Sequence, residues 1–437
     1  MNNTAIRKRT EPLTAPATQY SRRNIAIAVS TIIFSILLIS FRPFSGRLEA
    51  QEGGDIVNQL GFSALGVFSV LSLFTLAKPH FLRQLLNPFW LLMCGFLIIS
   101  AFAAPDLPSA LRAVIFTLIG MICMFSIIGL LQDADGFSKS ITIVSSLVLV
   151  VSYIGVIILP DLATHGYDVV EPQNSYLWRG VFTHKNIAGP VMAAFAFAGI
   201  YLMRRKMVLR GLIIMIASTF FVAQTGSKTT TALVPLTVLV VIFPGLFNWR
   251  WMTVLTTLII NIVFSTLTIG TVIFDPLRKF VESLSIDATF TGRTSIWSFA
   301  LDKLHQHPWA GFGFESFWNS PVSKQAANPY YLDWDVRSIV HGHNGYLDIA
   351  MTMGIPALIC LITVIIILPL RDFSRCLKIR ENILLADFFV MIMFFCTLNA
   401  HLESFFFRRI DPAWLILMLS AFGLRLCARI EIPTHDR

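Results

Sequence analysis

The sequence predicts an all-α protein that crosses a membrane many times. Of its 437 residues, 55% are hydrophobic and only 14% are charged, and the mean hydropathy is +0.70. Soluble domains carry about 25% charged residues. The chain is a succession of apolar runs long enough to cross a hydrocarbon core of roughly 30 Å. Because lipid offers the backbone no hydrogen-bond partner, these runs are predicted to be helices.

The apolar runs predict about twelve transmembrane helices. Several runs are short and contain internal Gly or Pro, notably Pro235 and Pro356, so the count can change by one or two. In chain order the runs lie near residues 24–41, 61–77, 88–104, 110–131, 141–159, 187–203, 208–224, 229–247, 252–274, 344–370, 384–400 and 412–428.

The placement of Lys and Arg predicts that both termini are cytoplasmic. With the N-terminus inside, the alternate segments that collect most of the basic residues also lie inside, as the positive-inside rule requires. The long polar segment 275–342 is then a large external loop with short helices of its own. The predicted division is a basic tail (1–23), helices one to nine (24–274), the loop (275–342), helices ten to twelve (343–428) and a cytoplasmic tail (429–437). The net charge of +9 follows from this topology and needs no nucleic-acid partner.

Reactive side chains collect on the predicted outer side, where seven of the nine histidines fall. Imidazole is the usual proton carrier in acid/base chemistry. The segments that carry these side chains are R-G-V-F-T-H-K-N at 179–186, T-G-S-K-T at 225–229, G-R-T-S-I-W at 292–297, H-G-H-N-G-Y-L at 341–347 and H-L-E at 401–403.

The order of these motifs and their common side resemble the O-antigen ligase/polymerase superfamily over about residues 175–410. The resemblance implies a glycosyltransferase of the bacterial inner membrane. It would move a glycan from a polyprenyl pyrophosphate carrier to an acceptor hydroxyl at the periplasmic face, without a metal ion or another cofactor. One departure is Ser227-Lys228, where such proteins commonly have Ser-Arg. Lysine keeps the charge but loses the bidentate fork of arginine.

Within this superfamily, polymerases and ligases differ in their acceptor. A polymerase of exopolysaccharide or O-antigen repeat units extends another repeat unit, whereas an O-antigen ligase transfers the glycan to lipid A-core. The motifs at 179–186 and 292–297 look most similar to the polymerase branch. The expected partners are the lipid-linked oligosaccharide, the glycan acceptor, membrane lipids, and a chain-length regulator and a flippase of the same pathway.

Two functions of other classes also fit a polytopic chain. A polysaccharide or small-molecule transporter should carry charges near the middle of the membrane, in corresponding places of two halves. Here the helix centres are almost free of charge, and the polar residues gather at one face. A sensor with a ligand-binding loop does not require His and Arg in several separate loops.

The cleavage of a bond between a sugar and pyrophosphate requires fixed cations when no metal ion is present. Arg179 and Arg293 are predicted to meet this charge, because guanidinium binds phosphate oxygens bidentately. Lys228 is a further candidate for this contact. The alternative is that these are interfacial residues whose side chains reach the lipid headgroups.

His343 is the predicted general base, which takes the proton of the acceptor hydroxyl. His341 is its competitor for that role and is otherwise a substrate contact. Glu403 is predicted to orient the imidazole or to balance its charge, and the alternative is an exposed acid at a helix end. Asn344 is predicted either to contact substrate or to cap the next helix.

The remaining predicted substrate contacts are His184, Lys185, Asn186 and Trp297. Sugars stack on aromatic faces, but aromatic belts at a membrane interface produce the same enrichment. This ambiguity applies to the aromatic residues of the long loop, which are Trp297, Trp309, Trp318, Trp334, Tyr330 and Tyr331.

A metal site is a further alternative. His305 with His307, and His341 with His343, are each separated by one residue, and Asp333 with Asp335 resembles an acidic pair that holds a divalent ion. Because His307-Pro308 reads as a simple helix stop, we predict no metal ligands.

Overall fold

The computed structural model describes residues 17–44, 55–131, 133–167, 172–283, 290, 292–327 and 335–434. Within these ranges the chain is helical, and the one β-type pairing is an isolated bridge between Thr164 and Trp178. The predicted all-α, polytopic fold is confirmed. Several residues of the predictions lie outside the described ranges, namely most of the basic tail 1–23, Tyr330, Tyr331, Asp333, Trp334 and the last three residues of the chain.

The described α-helices follow one another in this order: α1 Ala17–Ile39, α2 Ile56–Leu76, α3 Pro79–Leu85, α4 Pro88–Phe102, α5 Leu107–Gly129, α6 Ala134–Ile158, α7 Pro160–Ala163, α8 Lys185–Arg204, α9 Val208–Gln224, α10 Lys228–Leu246, α11 Arg250–Ser265, α12 Thr271–Ile273, α13 Asp275–Ser283, α14 Arg293–Leu304, α15 Pro321–Lys324, α16 Gly345–Met353, α17 Ile355–Ile362, α18 Leu368–Cys376, α19 Ile383–Asn399 and α20 Pro412–Cys427. Two π-helical segments, Thr266–Gly270 and Thr363–Ile367, continue α11 and α17, and short 3₁₀ turns lie at Pro172–Asn174, Phe317–Asn319, Val336–Ser338 and Arg380–Asn382.

Nine helical segments in the described part of the chain are long and apolar enough to cross a membrane. The pair α3 and α4, bent by 65°, makes a tenth if it counts as one span. Helices α9 and α20 are apolar but shorter, with 17 and 16 residues. Each of the twelve predicted runs therefore coincides with an apolar helix, while the number that cross the membrane stays a prediction.

The predicted tenth span begins later than residue 344. Helix α16 ends at Met353, and Gly354 follows with φ 86°. A Cβ at Gly354 would lie 2.2 Å from the carbonyl oxygen of Trp309, so only glycine fits. Pro356 then occupies the first turn of a new helix. The candidate span therefore begins at Ile355, and α16 is a separate helix before it.

The centre of the bundle is formed by α8 and α19, which have 78% and 83% of their span residues buried. The segments α2 and Arg250–Ile273 have only 28% and 22% buried. Large apolar side chains on these outer helices are exposed, among them Phe74 (83%) and Ile262 (65%). Such side chains are expected to face lipid, because a soluble protein rarely exposes so much contiguous apolar surface.

The C-terminal end of α8 is held by a buried ion-pair cluster. Asp387 of α19 lies 2.8 Å from Arg204 Nη2 and 3.3 Å from Arg250 Nε, and its side chain is 1% exposed. A carboxylate at this depth needs such partners, because desolvation of an unpaired charge is costly. The N-terminal end of α8 lies at the other end of the bundle, beside the cavity described below.

The bend between α3 and α4 is stabilised from a distant part of the chain. Arg425 of α20 is buried, and its Nε donates to the carbonyl oxygen of Leu85 over 3.0 Å. Its Nη2 donates to the carbonyl oxygen of Leu86. The last carbonyls of a helix lack partners within the helix, and this guanidinium donates hydrogen bonds to them.

Candidate active site

A cavity of about 1320 Å³ opens at the end of the bundle where α8 begins. Its walls come from the end of α1, the loops before α8 and α10, the start of α14 and the segments 338–345 and 402–413. Eight of the eleven predicted site residues line it, and these are His184, Lys185, Asn186, Lys228, Arg293, His341, His343 and Glu403.

Glu403 is the centre of the polar contacts in this cavity. Its Oε1 lies 3.1 Å from Arg293 Nη2 and accepts a hydrogen bond of 3.0 Å from Asn186 Nδ2. Its Oε2 lies 3.6 Å from His343 Nδ1. Arg293 is held further by a hydrogen bond of 2.5 Å from Nη1 to the carbonyl oxygen of Leu402. The predicted base and the predicted cation thus meet on one carboxylate.

The electrostatics of Glu403 favour its charged form. Burial raises the pKa of this carboxyl, but the contacts with His343 and Arg293 outweigh burial, so the pKa of Glu403 lies below its ordinary value. Glu403 is therefore ionised at neutral pH, although its side chain is only 14% exposed. An ionised carboxylate beside an imidazole stabilises the protonated form of that imidazole.

Helix capping brings His343 and Glu403 together. Asn344 begins α16, and its Oδ1 accepts a hydrogen bond of 3.0 Å from the backbone N–H of Leu347. Its Nδ2 donates to the carbonyl oxygen of His401 over 3.0 Å, and the N–H of Gly345 donates to that of Ala400 over 2.8 Å. The segment before α16 is therefore joined to the segment after α19. Asn344 is fully buried, so the structure places it in the capping role rather than on the cavity wall.

Two helix N-termini that begin with lysine also face the cavity. Lys185 opens α8, where His184 Nδ1 accepts a hydrogen bond of 3.1 Å from the N–H of Asn186. The N–H of Lys185 donates to His165 Nε2 over 3.1 Å. Lys228 opens α10. Helix N-termini and lysines both attract anions, so this wall suits a phosphate-bearing ligand.

Arg179 is not on the cavity wall. Its side chain is 7% exposed, and it donates from Nε to Thr164 O over 3.0 Å and from Nη1 to Phe182 O over 3.1 Å. Burial lowers the pKa of Arg179. In this position the guanidinium holds the loop before α8 and does not line the cavity, so its predicted contact with phosphate stays a prediction.

Trp297 is likewise buried behind the cavity and does not offer a stacking face. Its side chain is 0% exposed, and Nε1 donates to the carbonyl oxygen of Gly342 over 2.8 Å. Gly342 lies between His341 and His343, whose ring centroids are 4.2 Å apart. The contact of Trp297 is therefore with the histidine segment and not with a sugar.

Asp348 lines the cavity and was not predicted from the sequence. Its Oδ1 accepts hydrogen bonds from Trp318 Nε1 over 2.8 Å and from the N–H of Gly342 over 3.0 Å. Burial raises the pKa of Asp348. The available signal was a carboxyl inside an apolar run, one helical turn after Asn344. Glu315 and Arg409, paired over 3.0 Å, also line the cavity and were not predicted.

The histidine pair at the end of α14 lies apart from this cavity. The ring of His307 contacts Phe312 with a centroid distance of 4.7 Å, and neither His305 nor His307 lines the cavity. Among the residues that the structure describes, no three His, Cys, Asp or Glu side chains are grouped so that they could hold a metal ion.

Residues 212–362 match the protein-family model described as O-antigen ligase. The matched segment contains Lys228, Arg293, His341 and His343, but not the start of α8 or Glu403. No curated protein matches the chain. The family match supports a glycosyltransferase-like enzyme of a bacterial membrane that acts on a lipid-linked glycan. Over residues 212–362, this match supports the resemblance to the O-antigen ligase/polymerase superfamily that the order of the motifs indicates.

Proposed function

We propose that the protein polymerises lipid-linked polysaccharide repeat units at the periplasmic face of the inner membrane, with both termini in the cytoplasm. The glycan passes from polyprenyl pyrophosphate to a hydroxyl of an acceptor sugar. The observation that carries this proposal is the contact of one carboxylate, Glu403, with both Arg293 and His343 at the wall of a large cavity.

His343 acts as the general base in this proposal. The acceptor O–H attacks the anomeric carbon, the proton passes to the imidazole, and a new glycosidic bond forms as the bond from carbon to phosphate oxygen breaks. Glu403 faces Nδ1 of His343, so Nε2 is the nitrogen that takes the proton. The positive charge that results on the ring is stabilised by the ionised carboxylate.

The cations of the cavity bind the leaving pyrophosphate, which remains on its polyprenyl carrier. Arg293 uses Nη2 for Glu403 and Nη1 for Leu402 O, and a guanidinium has five N–H donors. Lys185 and Lys228 add charge from the two helix N-termini. Fixed cations at the site of developing negative charge lower the barrier, so the reaction needs no metal ion.

The ligase alternative is favoured by the description of the matching family, O-antigen ligase. Both reactions use the same donor and the same base, so the acceptor distinguishes them. Deletion of the gene should leave single repeat units on the carrier and abolish long polymer if the protein is a polymerase. Polymer that is still made, but is missing from lipid A-core, would instead establish the ligase function.

A reconstituted assay tests the mechanism. Purified protein in liposomes should join lipid-linked repeat units into products of two or more units. His343→Ala should reduce the rate of this reaction by about 10²- to 10⁴-fold. A chelator should leave the wild-type rate unchanged. His305→Ala with His307→Ala is the matched control, because these histidines lie off the cavity wall. A reversible loss with chelator, or full activity of His343→Ala, would overturn the mechanism.

A further inference from the structure

Both peptide groups that flank Gly342 are fixed by side-chain hydrogen bonds. The N–H of Gly342 donates to Asp348, with 3.0 Å to each carboxylate oxygen. The carbonyl oxygen of Gly342 accepts from Trp297 Nε1 over 2.8 Å. Trp318 Nε1 in turn donates to Asp348 Oδ1 over 2.8 Å. The segment between the two histidines is thus held on both sides.

The residue at position 342 must be small for this arrangement to exist. A Cβ on Gly342 would lie 2.7 Å from Asp348 Oδ1 and 3.1 Å from a ring carbon of Trp318. Real Cβ atoms do not approach a carboxylate oxygen so closely. Glycine here serves the close approach of Asp348 to the backbone, and it stands immediately before His343, whose φ is 50°.

The two tryptophans serve hydrogen bonding here as well as packing. Trp297 is 0% and Trp318 is 5% exposed, and both belong to the apolar cluster beneath the long loop. Burial of an indole N–H without an acceptor is costly, and each of these N–H groups has one. The long loop therefore makes two directed contacts, one from Trp297 to the carbonyl oxygen of Gly342 and one from Trp318 to Asp348.

We propose that Trp297, Trp318 and Asp348 are positioning residues that fix the direction in which His343 presents its imidazole to the cavity. Trp297 and Asp348 act through the backbone of Gly342, and Trp318 acts through Asp348. A misplacement of about 1 Å in a reacting group can reduce a rate by about 10²-fold, so these hydrogen bonds matter for the rate. The inference rests on the proposed function of His343 as the base.

Trp297→Phe and Asp348→Asn test the proposal, because the first removes the indole N–H and the second keeps the shape of the side chain while changing its hydrogen bonding. Each should lower kcat by about 10- to 10²-fold and leave KM for the donor within about twofold. Trp309→Phe is the matched control, since Trp309 is 76% exposed and lies in the same loop. Wild-type kcat in both Trp297→Phe and Asp348→Asn would overturn the proposal.

A second measurement reads the position of His343 without turnover. Peptide mass spectrometry can follow the modification of each histidine by diethyl pyrocarbonate in the purified protein, with His184 as the internal reference. The rate at His343 should change in Trp297→Phe and Asp348→Asn, while the rate at His184 should not. Equal changes at both histidines would indicate general loosening and would overturn the proposal. Full activity of His343→Ala would refute the base, whereas the modification rates would still test the positioning.

Discussion

Asn186 donates from Nδ2 to Oε1 of Glu403 over 3.0 Å, although 217 positions separate the two residues in the sequence. The contact joins the start of α8 to the segment after α19. Because Arg293 lies against the same oxygen, three remote parts of the chain share one carboxylate. The amide of Asn186 is thereby turned toward Glu403, so we expect it to act on that carboxylate and not on the substrate.

Asn186→Asp should damage the site more than Asn186→Ala. The aspartate would place a second negative charge beside Glu403, and two like charges at about 4 Å repel by about 4 kcal/mol at an effective dielectric constant near 20. We expect transfer to fall by about 10²- to 10³-fold in the reconstituted assay, because each 1.4 kcal/mol or so corresponds to about a factor of ten. Asn248→Asp, at an exposed position, is the control. Equal activities of the aspartate and alanine variants would contradict the charge argument.

Arg293→Lys and Arg179→Lys should fail in different ways. Lysine at 293 keeps the charge but loses the planar fork, so transfer should fall by about 10²-fold while the protein accumulates normally. Lysine at 179 loses hydrogen bonds to Thr164 O and Phe182 O in a buried place, which costs about 1–3 kcal/mol of folding free energy. Its melting temperature should fall, and its turnover per folded molecule should not. A catalytic defect without destabilisation in Arg179→Lys would instead indicate that Arg179 takes part in the reaction.

The lowered pKa of Glu403 predicts an acid-dependent part of the stability. A carboxyl whose folded-state pKa is depressed stabilises the protein above the ordinary glutamate pKa of about 4.3, and this contribution is lost as the pH falls through the folded-state value. Glu403→Gln should therefore be less stable than wild type at neutral pH. The difference should shrink below about pH 4, as thermal unfolding in detergent would measure. A difference that is independent of pH would show that the charge of Glu403 is not responsible.

The proposed sidedness can be tested with single cysteines. Gln325 is exposed in the long loop, and Lys378 is exposed at the opposite end of the bundle. An impermeant thiol reagent should label Gln325→Cys in cells whose outer membrane is permeabilised, and should label Lys378→Cys only after lysis. The unsubstituted protein gives the background, because its six cysteines are buried or half-buried. The reverse pattern would invert the topology.

The helices could be predicted because a membrane-spanning segment is recognisable in the sequence by its length and its lack of charge. The break at Gly354 could not, since the reason for it is the carbonyl oxygen of Trp309, which lies 45 positions earlier in the chain. The residues of a continuous apolar run do not indicate such a contact. For the same reason, α16 and the span that follows it were predicted as one helix.

The site was predictable for the reactive side chains that turn into the cavity. His343, Arg293 and Glu403 were selected by residue type and motif, and the structure brings them together. Arg179 and Trp297 have equally polar tips, but these tips are used on backbone carbonyls. Loop spacing does not reveal which way a side chain turns, so the two uses of the same residue type look alike in the sequence.

The guanidinium of Arg425 has a consequence for the order in which the chain is assembled. The carbonyls of Leu85 and Leu86 belong to the bend between α3 and α4, whereas their partner Arg425 lies in α20, about 340 residues later. Until α20 has been inserted, the bend between α3 and α4 lacks the donors that satisfy it in the finished protein. Helix α20 therefore completes the hydrogen bonding of the bend near the start of the chain. A chain that stops before Pro412 would leave the carbonyls of Leu85 and Leu86 without these donors.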